Sequence, residues 1–165
     1  MVTGASWGAG DVTHVGVAMT DDEAWELVSQ APTGILTTLR ADGRPVALPV
    51  WFVVIEREVY VRTADESKKA SRVRHDPRVH FLVEEGERWE ELKAVSFGGV
   101  AECTDDPRVV GQVLSARALK YRGKATSRAE LPAATVAHYA AAGVVLRITP
   151  TEPPISWDNR KIRRR

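Results

Sequence analysis

The chain has 165 residues and a formal net charge of +1. That length suits one domain with a real core, and the charge balance argues against wholesale wrapping of nucleic acid or a membrane surface. The single cysteine, Cys103, excludes an intramolecular disulfide and a multi-cysteine metal site, and fits a reducing cytoplasmic setting.

Residues 1–19 lack a basic start and an apolar run, so they read as a flexible N-terminal arm and not as a signal peptide. Thr20-Asp21-Asp22-Glu23 is a capping box, and it predicts a helix over about 21–30 that buries Ala24, Leu27 and Val28. Pro32 and Gly34 end that helix. Three strands are predicted next, over 34–40, 45–55 and 58–63, with Asp42-Gly43 marking a hairpin between the first two. Pro45 and Pro49 confine the second strand to an edge, a bulge or a strand start. A short helix follows, then a fourth strand over 78–84 and an acidic loop over 84–91 of net −4. The fifth strand spans 94–103, where Gly98-Gly99 suggests a bulge or sharp bend. Asp106-Pro107 starts a helix over 107–120, with Val110, Val113 and Leu114 on its buried side. A loop at 123–128, a helical segment at 131–141 and a sixth strand at 143–148 complete the domain of residues 20–150. Residues 151–165 read as a proline-broken C-terminal tail. No apolar run approaches a membrane span.

Six short, mostly antiparallel strands with inserted helices give a mainly β, α+β fold, a small closed or partly closed barrel with peripheral helices. A dinucleotide-binding Rossmann fold is excluded, because Gly8-Ala9-Gly10 precedes any strand.

The segment from Arg62 to Arg78 carries six Lys or Arg residues against three acids, a net +3. The charge gathers where the third strand hands over to a short helix, at Ser67-Lys68-Lys69. Free N–H groups, the positive helix end and the Ser and Lys side chains converge on one anion at such a junction. A solvated basic helix face is the other reading of the same pattern.

Catalytic constellations are scarce. His14, His75, His80 and His138 show no metal-ligand spacing, and Cys103 ends a strand without an adjacent base, as a small core residue would. Ser67 with Lys68 and Lys69 is not a Ser-Lys dyad, since residues one and two apart do not face together on a helix. A phosphate cradle without triad or metal points to an organic cofactor as the carrier of the chemistry. Trp51-Phe52 is either an apolar wall for a planar ring or plain strand packing.

The motifs GILTTLRADGRP (34–45), PVWF (49–52), YVRT (60–63), SKK (67–69), RHDPRV (74–79), VSFGGVAE (95–102) and SWDNRK (156–161) stand in one order along residues 20–162. In that order they resemble the pyridoxamine 5'-phosphate oxidase-like FMN-binding split-barrel superfamily. Within it the chain is most similar to the actinobacterial flavin/deazaflavin oxidoreductases that use coenzyme F420.

The resemblance implies a homodimer of six-stranded antiparallel split β-barrels with two cofactor sites at the interface. It places Pro49, Val50 and Trp51 along the cofactor ring and Thr63, Ser67, Lys68 and Lys69 on ribityl and phosphate oxygens. Trp157 is brought by the other subunit. Arg72 stands where relatives often have Asn, and either adds a phosphate contact or fills the site. Trp157 is followed by Asp158-Asn159-Arg160 and not by the substrate pattern of true pyridoxamine phosphate oxidases, which argues against vitamin B6 oxidation. The implied activity is hydride transfer from reduced coenzyme F420 to a conjugated small-molecule acceptor, with no nucleic acid or membrane partner. FMN-dependent chemistry on the same fold, or non-catalytic carriage of a cofactor or tetrapyrrole, are the alternatives.

Overall fold

The computed structural model describes residues 16–124, 130–133, 135–136 and 143–162. Thr20 caps the first helix, α1 (Asp21–Gln30), with both halves of the capping box formed. Ala24, Trp25, Leu27 and Val28 face the core. Strand β1 (Gly34–Leu39) turns through Asp42-Gly43 into β2 (Pro45–Val50), with Gly43 at φ 80° supplying the positive dihedral the turn needs.

The predicted second strand is in fact two. Trp51 and Phe52 interrupt it, and β3 (Val53–Ile55) pairs not with β1 but with β4 (Glu58–Ala64). The remaining elements are α2 (Lys68–His75), β5 (Arg78–Glu85), β6 (Lys93–Thr104), α3 (Pro107–Lys120), β7 (Gly143–Pro150) and β8 (Ile155–Asp158). The sequence expectation of a helix over 131–141 lies largely outside the described residues.

All strand pairs are antiparallel, in the order β2-β1-β5-β6-β7-β4-β3, with β8 beside β6. The path begins with β2 and ends with β3, and only two residues separate those strands in sequence. Its two ends are therefore drawn together and the sheet curls on itself as a split barrel. Inside stand Leu36, Phe52, Val59, Val61, Phe81, Val83, Val95, Phe97, Leu146 and Ile148, each at most 1% exposed. Phe52 meets Phe81 edge-on at 4.9 Å, and Phe81 and Phe97 are 5.7 Å apart, spacings at which aromatic pairs add to the burial gain. Val113 of α3 packs with Val53, Tyr60 and Val145 on the outer side of β3, β4 and β7. Leu114, expected in that contact, is exposed instead.

Gly98-Gly99 is not a bulge, since β5 runs in unbroken register past both residues. On its other edge β6 changes partner here, from β8 at Lys93–Ser96 to β7 at Gly99–Thr104. A Cβ on Gly99 would lie 2.7 Å from the Thr149 carbonyl oxygen. Close backbone approach, and not a bend, is what requires glycine.

The tail is also more ordered than its prolines suggest. Residues 155–158 add a strand to β6, and a 3-10 turn over Asn159–Lys161 follows. Lys161 Nζ donates to the Glu23 carboxylate at 2.6 Å and to the Ala18 carbonyl at 3.1 Å, tying the tail to α1.

Candidate functional site

The basic corner forms where β4 gives way to α2. Thr63 donates from Oγ1 to the Ser67 hydroxyl at 3.1 Å, and that hydroxyl accepts from the Ala70 N–H at 3.1 Å. Ser67 is thus the α2 N-cap, leaving its own proton free to donate and the first-turn N–H groups of Lys68 and Lys69 directed off the helix end. Ala70 and Val73 anchor α2 to the core.

Two cations of this segment are neutralised locally. Arg74 pairs with Asp65, and Arg78 with Asp76 at 2.7 Å. Arg72 behaves differently. Its Nε donates to the Thr38 hydroxyl at 2.7 Å, across from α2 to β1. Burial, and next the nearby Arg72 charge, push the Lys69 pKa below its ordinary value. Among the described residues no carboxylate pairs with Lys68, Lys69 or Arg72. The corner therefore holds two close cations, one partly desolvated, beside hydroxyls and a helix N-terminus. Bringing an anion there relieves their repulsion.

The other expected site residues lie elsewhere. Thr38 stands opposite Val46 in β2, and Pro49 opposite Ile35, so Pro49, Val50 and Trp51 extend some 10–16 Å along the strand from the Arg72 anchor. Pro49 is exposed, Val50 is buried in the core, and Trp51 is 37% exposed. Trp157 lies on β8 opposite Ala94 of its own chain. The part of β6 beneath the first turn of α2, marked by the Cys103 Sγ contact with the Ala70 carbonyl, is nine residues away, about 30 Å along the strand. One chain does not bring Trp157 to the basic corner.

Three residues escaped the sequence reading. Thr38 fixes Arg72. Tyr121 stacks flat on Trp51, with ring centroids 4.2 Å apart and planes at 4°, and its hydroxyl accepts from the Phe52 N–H at 2.9 Å. Lys120 places Nζ 3.9 Å above the Phe52 ring centroid. Only the lone aromatic at the end of a basic helix hinted at Tyr121, and no pattern joins it to a tryptophan 70 positions earlier.

Cys103 sits half-buried under α2, its Sγ 3.9 Å from the Ala70 carbonyl, and burial raises its thiol pKa. It has the character of a small packing residue and not of a thiolate nucleophile. Among the described residues no group of three His, Cys, Asp or Glu side chains is placed to hold a metal, and no helix is long and apolar enough to cross a membrane.

A sheet curled around an apolar core, split at a two-residue break and carrying a basic strand-to-helix corner, defines a split-barrel protein. The family description "Pyridoxamine 5'-phosphate oxidase" matches residues 20–152, and the chain belongs to that family in its split-barrel superfamily. A conserved hypothetical protein of Mycobacterium tuberculosis is 34% identical, with 88% of this chain and 89% of that one covered at a TM-score of 0.75. An FAD binding protein of Mycobacterium smegmatis is 22% identical, covering 85% and 98% at TM-score 0.60. A structure named F420 Reductase is 21% identical, covering 77% and 92% at TM-score 0.57. No curated protein matches the chain.

Proposed function

We propose that this protein is an oxidoreductase that binds coenzyme F420 and passes a hydride from its reduced form to a conjugated, electron-poor organic acceptor. The observation that carries the reading is the Lys69–Arg72 pair of α2, two cations without a carboxylate partner among the described residues. Such a pair fits a phosphate-bearing cofactor, with exposed Lys68 at the corner's rim for further negative charge. The names of two structural neighbours, an FAD binding protein and an F420 Reductase, support a flavin-type cofactor.

The deazaflavin ring supplies the hydride when bound. The chain's own part is to hold and orient. Ser67 and Thr63 offer hydroxyls to the phosphate end, Lys69 and Arg72 offset its charge, and β2 from Val46 to Val50, with Trp51 just beyond it, provides the edge along which a long planar ligand lies. Two cations also match the dianion of a phosphomonoester, so FMN is the second reading.

We also propose that two copies pair through the outer sheet face. Pro49, Ile35, Leu82, Ser96 and Ile155 stand side by side across β2, β1, β5, β6 and β8, and Ile155 is 60% exposed. Such a largely apolar row suits an interface, and a partner copy is the source from which a Trp157 reaches the site. Sedimentation of wild type against Leu82→Arg tests the pairing: a wild-type monomer overturns it.

Equilibrium titration of apo-protein with coenzyme F420 and with FMN, followed by oxidation of the bound reduced cofactor against an acceptor panel, tests the function. Tight FMN binding with no F420 binding overturns the first reading in favour of the second.

A further inference from the structure

At the break between β2 and β3 the chain leaves the ladder. Strand β2 last pairs at Val50 with Gly34, and β3 begins at Val53 opposite Tyr60. Phe52 is fully buried between them, where backbone groups without partners are costly. Tyr121 takes the place of the missing strand. Its hydroxyl accepts from the Phe52 N–H at 2.9 Å and lies 2.8 Å from the Phe52 carbonyl oxygen and 3.0 Å from that of Pro32, both acceptors for its proton. Lys120 Nζ lies over the Phe52 ring and, among the described residues, has no hydrogen-bond partner. The Tyr121 ring then lies flat against Trp51, which is 37% exposed. One residue thus clamps the backbone of the break and one face of the only indole on β2's course.

We propose that Tyr121 is a positioning residue of the cofactor site, fixing Trp51 as the wall against which the bound ring is placed. The inference rests on the proposed reading that β2 and Trp51 border the cofactor ring. An indole on a two-residue break has free χ1 and χ2 rotation unless something holds it. Stacking on Tyr121, itself pinned through its hydroxyl, removes that freedom before any ligand arrives. A preformed wall spares the bound state the cost of ordering it.

The test uses the full chain with ¹⁵N-labelled indoles. The chain has five tryptophans, and the Trp51 resonance is the one lost in Trp51→Phe. In apo Tyr121→Leu that resonance moves toward the position of an exposed indole. In Tyr121→Phe, which keeps the ring and loses only the hydroxyl, it broadens while the other indole resonances hold. Cofactor Kd in Tyr121→Phe rises about tenfold at a temperature where both proteins are fully folded. A purely structural tyrosine would lower the melting temperature and leave both readouts unmoved. An unmoved Trp51 resonance, or a moved one with cofactor bound at wild-type strength, overturns the proposal alone. Wild-type protein that binds neither coenzyme F420 nor FMN overturns the functional reading and the proposal with it.

Discussion

Arg72 reaches from α2 to β1 and donates through Nε to the Thr38 hydroxyl at 2.7 Å, and Thr38 is 1% exposed. That contact holds the guanidinium through Nε. Thr38→Val keeps the β-branched shape and removes the acceptor. Cofactor affinity is expected to fall about threefold to tenfold, the worth of one hydrogen bond. A titration showing unchanged affinity would mean that Arg72 holds its place without Thr38.

Lys69 is the more exacting position. Burial and the Arg72 charge both disfavour its protonated form in the free protein, so its charge is a cost until an anion arrives. Lys69→Met is expected to weaken cofactor binding about tenfold to a hundredfold while leaving the apo-protein equally stable or slightly more so. Calorimetric titration paired with thermal melts checks both. Normal binding by the variant would move the phosphate away from this corner.

Much of the scaffold was legible because its signals are local. The Thr20 capping box, the Asp42-Gly43 turn and Asp106-Pro107 set element boundaries through bonds within a few residues. The break at Trp51-Phe52 was not legible, because PVALPVWFVVI is one unbroken apolar run whose division is decided by which strand each half meets. Strand β8 was missed for a similar reason: four residues behind Pro153-Pro154 gain their order only from the edge of β6. At the site, the excess of positive charge is visible in the sequence, but which arginine is paired is not: the sequence could not tell Arg74 from Arg72. Asp65 reaches the first and not the second, a matter of how the turn before α2 folds back.

Lys120 gives a pH dependence with a definite sign. Burial, and next the charge of Lys124, push its pKa from 10.5 down to about 8. Among the described residues, the groups around it are Lys124 and the Phe52 and Tyr121 rings. Because the folded value lies below the unfolded one, the unfolded chain binds the proton more tightly. Its contribution is therefore fully present above pH 10.5 and lost as pH falls through about 8. Lys120→Met is expected to be more stable than wild type at pH 7, with the gap closing toward pH 10.5. Urea unfolding of both proteins across that range reads it, and a gap independent of pH would show that the amine titrates normally.

The tail separates two roles that sequence alone merges. Strand β8 covers Lys93–Ser96, the Asp158 N–H donates to the Val17 carbonyl at 2.8 Å, and Lys161 reaches Glu23. Truncation before Ser156 removes most of that strand and bares a β6 edge, so the melting temperature is expected to fall whatever the tail does for the cofactor. Trp157→Ala isolates the second role, because the backbone pairing with Ala94 survives while the indole, 38% exposed in one chain, is gone. If the indole is buried against a partner copy's cofactor, removing it costs roughly 2 kcal/mol of apolar contact, which appears as cofactor affinity reduced more than tenfold in a protein that still melts near the wild-type temperature. Binding at full strength by Trp157→Ala, together with a destabilised truncation, would make the tail a strut for β6 and α1 with no part in the site.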